Sequence, residues 1–293
     1  MYLVTGASGH LGQAVVQHLL TTYSVPANKI IAASRHTDKL ADLKAKGVQV
    51  RKADFDDEAG LLKAFEGVSR VVIISTDSLD GPGKRLSQHL RAISAAEKAG
   101  VNHVVYTSMP KPETSAVTFA PDHVGSEKAL AASKIKGWTV LRNNWYFENL
   151  FHSVPQAIKS GSLYTAAGKG TIAHIARNDL GRAAAAVLSS DKGGKQTYTV
   201  TGSKEYTTDQ IAALVSAATG KPITVVHVPV EGLVQGMIGA GLPEPIARIF
   251  ASFDANTAQG GLAGVTDDYK ALTNSEPQAF EDWVKANAEA FLS

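Results

Sequence analysis

Short apolar runs alternate with amphipathic stretches through the first half of the chain. A run such as Val71–Ile74 is apolar at every position, as in parallel strands buried between two layers of helices. The predicted strands are Leu3–Thr5, Lys29–Ser34, Val48–Lys52, Arg70–Ser75, His103–Thr107 and Trp138–Arg142. Helical periodicity is found in Leu11–Leu20, after Asp57 and in Arg85–Ala99. This alternation predicts βαβ units with right-handed crossovers, and therefore an α/β fold with a doubly wound parallel sheet.

The pattern becomes less regular after Arg142, where Gly and Pro interrupt it often. The predicted helices are Asp179–Ser189, Thr208–Thr219, Pro243–Asn256 and Pro277–Leu292, and the extended pieces are Gln196–Val200 and Ile223–Val228. We expect residues 1–150 to form a nucleotide-binding sheet domain. Residues 151–293 are expected to form a smaller, irregular α/β region packed beside the sheet's carboxyl edge, with a discontinuous boundary between the two.

Composition removes several classes of function. The chain has 293 residues, a formal net charge of +2 and no cysteine, so a thiolate nucleophile and a Cys-ligated zinc site are excluded. Neither nucleic acid nor an anionic membrane is expected as a partner, because Lys and Arg form no long cluster. The nine histidines lack metal-binding spacing, so no metal is expected. Without a long apolar run or a signal peptide, we expect a cytoplasmic protein.

A glycine-rich turn follows the first strand and opens the first helix. Gly6, Gly9 and Gly12 are spaced G-x-x-G-x-x-G, which suits a tight turn, close approach of a diphosphate and close packing of helix on strand. The amides of Gly9 to Leu11 are expected to face the anion at the positive end of the helix dipole. The turn predicts a dinucleotide site in a Rossmann sheet, formed by Gly6, Ala7, Ser8, Gly9, His10 and Leu11.

The end of the second strand predicts which dinucleotide binds. A site for NAD usually has a carboxylate there, whereas this chain has Arg35 and no carboxylate before Asp38. The planar guanidinium of Arg35 suits a 2′-phosphate, so NADP(H) is the expected cofactor. A solvated surface arginine is the alternative.

These features together resemble a known family. The glycine turn, Arg35, the Ala53–Asp57 segment and the Leu141–Tyr146 segment are similar to the NmrA-like group of atypical short-chain dehydrogenases, and within it to bacterial quinone reductases and triphenylmethane dye reductases. The resemblance extends over nearly the whole chain. It implies an oxidoreductase that transfers hydride from NADPH to a quinone or similar conjugated acceptor.

The resemblance also implies which residues surround the cofactor. Asp54 and Phe55 would hold the adenosine half together with Arg35. The remaining implied contacts are Ser75, Thr76, Asp77, Thr107, Ser108, Asn143, Asn144, Trp145, Tyr146 and Arg177. Thr107 and Ser108 as turn caps, and Arg177 paired with Asp179, are the alternatives.

The usual proton donor of short-chain dehydrogenases is missing. These enzymes use a Tyr-x-x-x-Lys pair, but none of the eight tyrosines has lysine four residues later. The tyrosine position holds His123 and the lysine position Glu127, an arrangement that suits either a surface pair or a proton relay. Candidate catalytic residues are Tyr146, His123 and Lys128. Lys128 is equally a solvated helix lysine, and Tyr146 belongs either to an aromatic core or to the wall of an acceptor site.

Two other functions stay open at this point. A non-catalytic regulator of the NmrA type that senses NADP(H) would explain the missing pair, while an epimerase or dehydratase is disfavoured by it. The apolar segment 230–253 either roofs a substrate pocket, packs between helices or forms a subunit interface, so a homodimer is one expected state.

Overall fold

The computed structural model describes residues 1–81, 83–191 and 193–293. The strands are β1 (Tyr2–Val4), β2 (Ile30–Ser34), β3 (Gln49–Lys52), β4 (Arg70–Ile73), β5 (His103–Ser108), β6 (Gly137–Asn143), β7 (Ser162–Thr165), β8 (Thr171–Ile172), β9 (Lys195–Val200), β10 (Tyr206–Thr207) and β11 (Thr224–His227). The α-helices are α1 (His10–Thr21), α2 (Ala41–Ala45), α3 (Glu58–Phe65), α4 (Lys84–Lys98), α5 (Ala120–Ala132), α6 (Val154–Ser160), α7 (Arg177–Ser189), α8 (Thr208–Thr219), α9 (Val230–Gly239), α10 (Glu244–Ala258), α11 (Asp268–Thr273) and α12 (Phe280–Ala286). Short 3₁₀ turns occupy Ala27–Lys29, Thr37–Leu40, Phe147–His152 and Glu289–Phe291.

A parallel sheet forms the centre of the molecule. Over the described ranges it has seven strands in the order β3-β2-β1-β4-β5-β6-β9. Helices α1 and α7 cover one face through residues such as Val15, Leu19 and Leu180, and α3, α4 and α5 cover the other. The predicted doubly wound α/β fold is therefore confirmed.

The second half of the chain contributes to this sheet layer. The piece predicted as Gln196–Val200 is β9, which pairs in parallel with β6. Helix α7 approaches α1 so closely that a Cβ on Gly181 would lie 2.5 Å from the Cβ of Ala14. The rest of this half builds two small sheets, β8 with β10 and β7 with β11, and a separate core around Phe147, Phe280 and Trp283.

Several predicted boundaries differ from the structure, and for two of them side-chain contacts give the reason. Strand β4 ends at Ile73 rather than Ser75, because the next two amides donate to side chains, Ile74 to Thr5 Oγ1 and Ser75 to Thr107 Oγ1, at 2.9 Å each. The helix predicted over 277–292 is reduced to α12 and a 3₁₀ turn. Before α12 the amide of Gln278 donates to the Asp179 carboxylate at 2.8 Å, which holds the chain away from helical hydrogen bonding. Among the described helices, none is long and apolar enough to span a lipid bilayer.

Candidate active site

A cleft of about 670 Å³ opens where the carboxyl ends of β1 to β4 meet. Ligands of open α/β sheets bind at this edge. The predicted site residues that line the cleft are Gly6, Ser8, Gly9, His10, Leu11, Arg35, Asp54, Phe55, Ser75, Thr76, Asp77, Tyr146 and Arg177. Those that do not line it are Ala7, Thr107, Ser108, His123, Lys128, Asn143, Asn144 and Trp145.

The glycine turn is held by its own backbone. Gly6 has φ +60°, and the amide of the buried Ala7 donates to the carbonyl of Ala33 at 3.0 Å. The arrangement differs from expectation at Gly9, whose amide donates to the Gly6 carbonyl at 3.0 Å and closes the turn. The amides of His10 and Leu11, in the first turn of α1, have no acceptor within the described residues. They are the groups that can bind an anion at the helix N-terminus.

Arg35 lines the cleft directly after β2. Its side chain is 55% exposed, and its nearest carboxylate is the 93% exposed Asp77, at 4.0 Å. An ion pair so open to water contributes little, so the guanidinium remains available to a ligand. Behind it, the hydroxyls of Ser8 and Ser34 lie 2.7 Å apart and tie the glycine turn to the end of β2.

Two buried side chains fix the loop after β4 by accepting hydrogen bonds from its amides. Thr107 Oγ1 accepts from the amide of Ser75 at 2.9 Å, and His89 Nε2 accepts from the amide of Thr76 at 3.0 Å. Thr107 therefore positions a cleft residue instead of lining the cleft itself. The contact also fixes the tautomer of His89: with a lone pair on Nε2, its proton is on Nδ1, 2.9 Å from Ser126 Oγ.

Acid should weaken this support. Burial, with the charge of Arg85, lowers the pKa of His89 to about 3, below the ordinary value of 6.5. As pH falls below about 6.5 the unfolded chain gains a proton that the folded chain does not, so stability is lost from there down to about pH 3. Between about pH 7 and pH 5, His89→Gln should lose less unfolding free energy in urea than the parent, the difference being at most about 1.4 kcal/mol per pH unit. An equal fall in unfolding free energy in the parent and in His89→Gln would contradict this prediction. His10→Gln, which replaces an exposed histidine, is the control.

His123 lies in a buried cluster with His89 and Tyr106. It is 3% exposed, and its Nδ1 lies 2.9 Å from the Tyr106 hydroxyl. Burial first, then the charge of Arg85, lowers the pKa of His123 well below its ordinary value, and burial raises that of Tyr106. Both groups are therefore neutral near pH 7 and share this hydrogen bond. The surface pair of His123 with Glu127, one of the two alternatives left open by the sequence, is not formed.

Glu127 instead binds side chains at the ends of two neighbouring strands, β5 and β6. Its carboxylate accepts from Ser108 Oγ at 2.6 Å and from Arg142 at 2.6 and 3.1 Å. Ser108 is thus a structural partner of Glu127. Lys128 is exposed on α5 and does not line the cleft. The structure therefore does not bring Lys128 to the site.

The segment after β6 forms one end of the cleft. Arg177 places its guanidinium 5.2 Å from the ring centre of Tyr146, so the predicted alternative of an Arg177–Asp179 pair is wrong; Asp179 accepts from Tyr269 and Gln278 instead. Burial raises the pKa of Tyr146, opposed by Asn143 and by the charge of Arg177. Asn143 is 7% exposed, and its Oδ1 has no partner among the described residues.

Asn144 and Trp145, which lie between Asn143 and Tyr146, contact other parts of the protein and not the cleft. Asn144 donates to the carbonyl of Leu262 at 3.1 Å and accepts from the amide of Trp145 at 2.7 Å, which uses both ends of its side chain. Trp145 packs on Phe253 of α10 with ring centres 4.5 Å apart. Both therefore shape the wall behind Tyr146 without facing the cleft.

Several residues of the cleft were not predicted from the sequence. They are Gly12, Ser34, His36, Ala53, Ile74, Leu79, Arg85, Gln88, Phe119, Asn149 and His152. Arg85 and Gln88 are three apart on α4 and share its cleft-facing side, a spacing that helical periodicity could have revealed. Phe119 precedes α5 in a loop without a sequence pattern.

Comparison with known proteins agrees with this geometry. The model of the NmrA-like family matches residues 2–284. Quinone oxidoreductase 2 of Escherichia coli is 38% identical over 93% of this chain and 92% of its own length, and the NAD(P)H azoreductase of Xenophilus azovorans is 28% identical over 99% of each.

Solved structures give the same result. The Escherichia coli NADPH-dependent quinone oxidoreductase in complex with NADPH superposes with a TM-score of 0.92 at 35% identity, covering 98% of this chain and 99% of that one. The Citrobacter sp. triphenylmethane reductase in complex with NADP(H) has a TM-score of 0.90 at 33% identity, covering 98% and 100%. The resemblance predicted from the sequence is confirmed, and the chain belongs to the NmrA-like family.

Proposed function

We propose that this protein is an NADPH-dependent oxidoreductase that reduces a quinone or a similar conjugated, electrophilic acceptor. The observation that carries the proposal is one continuous cleft, which joins the glycine turn and Arg35 to an end lined by Phe119 and Tyr146. A dinucleotide and a flat acceptor need such adjoining polar and aromatic surfaces. The names of its relatives, a quinone oxidoreductase and an azoreductase, support the same chemistry.

The residues fit the cofactor chemically. The free amides of His10 and Leu11 suit the diphosphate, and Arg35 suits the 2′-phosphate. One buried acceptor atom in the cleft wall, Gln88 Oε1, has no partner among the described residues, and an amino group of the dinucleotide would satisfy it. NADPH, when bound, would supply the hydride.

We assign Phe119 to orienting the acceptor, with the aromatic side chains packed behind it as its support. Phe119 packs edge-on against Phe253 with ring centres 5.8 Å apart, and Phe253 contacts Trp145 and Phe250. We name this set, Phe119, Trp145, Phe250 and Phe253, the aromatic row. Helix α10 carries two of its members, Phe250 and Phe253, so these two side chains would support the acceptor site from the second half of the chain.

Neither Tyr146 nor His123 is a ready proton donor near pH 7. The pKa of Tyr146 is raised, and His123 is neutral with its Nδ1 turned to Tyr106. A quinone accepts hydride without strong acid assistance, so the proton would come from water. The protein's main contribution is then to position the two reactants and to exclude competing geometries.

Tyr146→Phe should therefore have a small effect. Loss of a true general acid costs about 100-fold or more in kcat. We expect a change far below that, because the ring remains in the wall and only the hydroxyl is lost. A fall of about 100-fold, with the basic limb of the pH–rate profile removed, would instead make Tyr146 the proton donor.

The function is tested by following NADPH absorbance with purified protein and p-benzoquinone, after subtraction of the uncatalysed reaction. Protein-dependent oxidation that saturates in both reactants is expected. Binding of NADPH without turnover of any quinone would contradict the proposal and favour the regulator that senses NADP(H).

A further inference from the structure

Arg85 is a buried cation on the wall of the cleft. It lies in the first turn of α4 and is only 8% exposed. Its guanidinium carbon lies 4.4 Å above the ring centre of Phe119, one end of the aromatic row. The side chain is therefore fixed against a flat surface inside the cleft and not free in solvent.

This cation lacks a counter-charge. No carboxylate within the described ranges comes within 4.0 Å of its guanidinium, and Asp77 and Asp122 act on it only from farther away. Among the described residues it makes one long hydrogen bond, from Nη1 to the carbonyl of Ser78 at 3.4 Å, and its buried Nε has no partner there. The half-buried Arg142, by contrast, is held by both Glu113 and Glu127.

A buried charge without a partner is costly, and such a residue is retained where a ligand supplies the opposite charge. Two sources of negative charge reach this cleft under the proposed function: the phosphates of the cofactor and the oxygen of a reduced acceptor. The phosphates have partners elsewhere, at the N-terminus of α1 and at Arg35. Contact with Phe119 links Arg85 to the aromatic row, at the acceptor's end.

We propose that Arg85 binds the negative charge that hydride transfer leaves on a carbonyl oxygen of the acceptor. The inference rests on the proposed function. When bound, NADPH would supply a hydride, the C4 hydrogen with its electron pair, and a neutral quinone that accepts it becomes the monoanion of its hydroquinone. Arg85 stabilises this oxyanion until water protonates it, which completes the reduction of the quinone and leaves NADP⁺.

This assignment sets the class of acceptor. A neutral quinone becomes an anion on accepting hydride, so Arg85 stabilises the transition state more than the ground state. A cationic triarylmethane dye becomes neutral, and as a reactant it is repelled by the same buried charge. The protein should therefore favour neutral carbonyl acceptors over cationic dyes.

The test compares Arg85→Met and Arg85→Lys with Arg248→Met, a control that removes an exposed arginine paired with Glu231 and Glu244. Arg85→Met should fold, because it replaces an unpaired buried charge with an apolar chain of similar length. With p-benzoquinone its kcat should fall about 100-fold, with partial recovery in Arg85→Lys. Its rate with a cationic triarylmethane dye should stay level or rise, and its Kd for NADPH should stay within about twofold of the parent.

A binding measurement makes the result independent of turnover. The NADP⁺-saturated proteins are titrated with 2,4-dinitrophenolate, an aromatic oxyanion, and with the neutral 2,4-dinitroanisole. Arg85→Met should weaken the phenolate about tenfold or more and leave the anisole unchanged. Arg85-dependent phenolate binding without quinone turnover in the parent would support the anion site while the proposed function fails. Equal phenolate affinity in the parent and in Arg85→Met would overturn the inference. If Arg85→Met then bound NADPH more weakly than the parent, Arg85 would be assigned to a phosphate of the cofactor.

Discussion

Gly12→Ala is expected to destabilise the protein by about 3 kcal/mol or more, because the added methyl group would collide with backbone atoms that cannot move aside. A Cβ at this position would lie 2.3 Å from the carbonyl oxygen of Gly6 and 2.7 Å from the Cα of Ala7. Neither atom can rotate away, since both belong to the turn that positions α1 on β1. Urea unfolding followed by circular dichroism measures the loss.

Gly9→Ala is the matched control in the same turn. Its added Cβ would come no closer than 3.4 Å to the Gly6 carbonyl oxygen, and its φ of −85° suits alanine. The fold should therefore persist. The methyl group would instead occupy space on the cleft side of the turn, so we expect NADPH affinity to fall about tenfold or more. Parent-like stability of Gly12→Ala, or parent-like NADPH binding by Gly9→Ala, would contradict this account of the turn.

Arg35→Ala is expected to change cofactor preference. A charged hydrogen bond contributes about 1.5–3 kcal/mol, so KM for NADPH should rise about 10- to 100-fold. KM for NADH should change little, because NADH carries no 2′-phosphate. Steady-state kinetics with both cofactors give the ratio directly.

Lys39→Ala is the control for that substitution. Lys39 is also exposed and lies about one helical turn beyond Arg35, but it does not line the cleft. It should leave both KM values near those of the parent. If Arg35→Ala raised both KM values equally, its guanidinium would contribute to general binding and not to recognition of the phosphate.

Local signals explain why much of the fold could be predicted. Runs such as Val71–Ile74 and the spacing of Gly6, Gly9 and Gly12 record backbone and burial requirements within a few residues. Strand β9 was recognised as extended, but its place beside β6 depends on pairing across more than 50 residues of chain, which periodicity does not encode. The strand predicted to reach Ser75 ends earlier because its last amides bond to the side chains of Thr5 and Thr107, which lie far away in the sequence.

The residues of the site also fall into those that could be predicted from the sequence and those that depend on the assembled fold. Arg35 was predicted from its place after the second strand and Phe55 from the family resemblance, and both lie where the ends of parallel strands meet at one edge. Phe119 reaches the cleft through the packing of α4 against the loop before α5, which no local pattern determines, whereas the shared face of Arg85 and Gln88 on α4 is a signal that helical spacing carries. His123 was located correctly on α5, but its burial against Tyr106 is a property of the assembled core.

Direct hydride transfer within the cleft is the central claim, and a single-turnover isotope experiment tests it most directly. NADPH deuterated at C4, in each of its two epimers, is bound to excess protein and mixed with p-benzoquinone, so that product release does not limit the rate. Transfer from a fixed position in the cleft predicts a primary isotope effect with one epimer and none with the other. Equal rates with both epimers, or equal effects from both, would contradict the account, because hydride would then not leave from one oriented face of a bound nicotinamide.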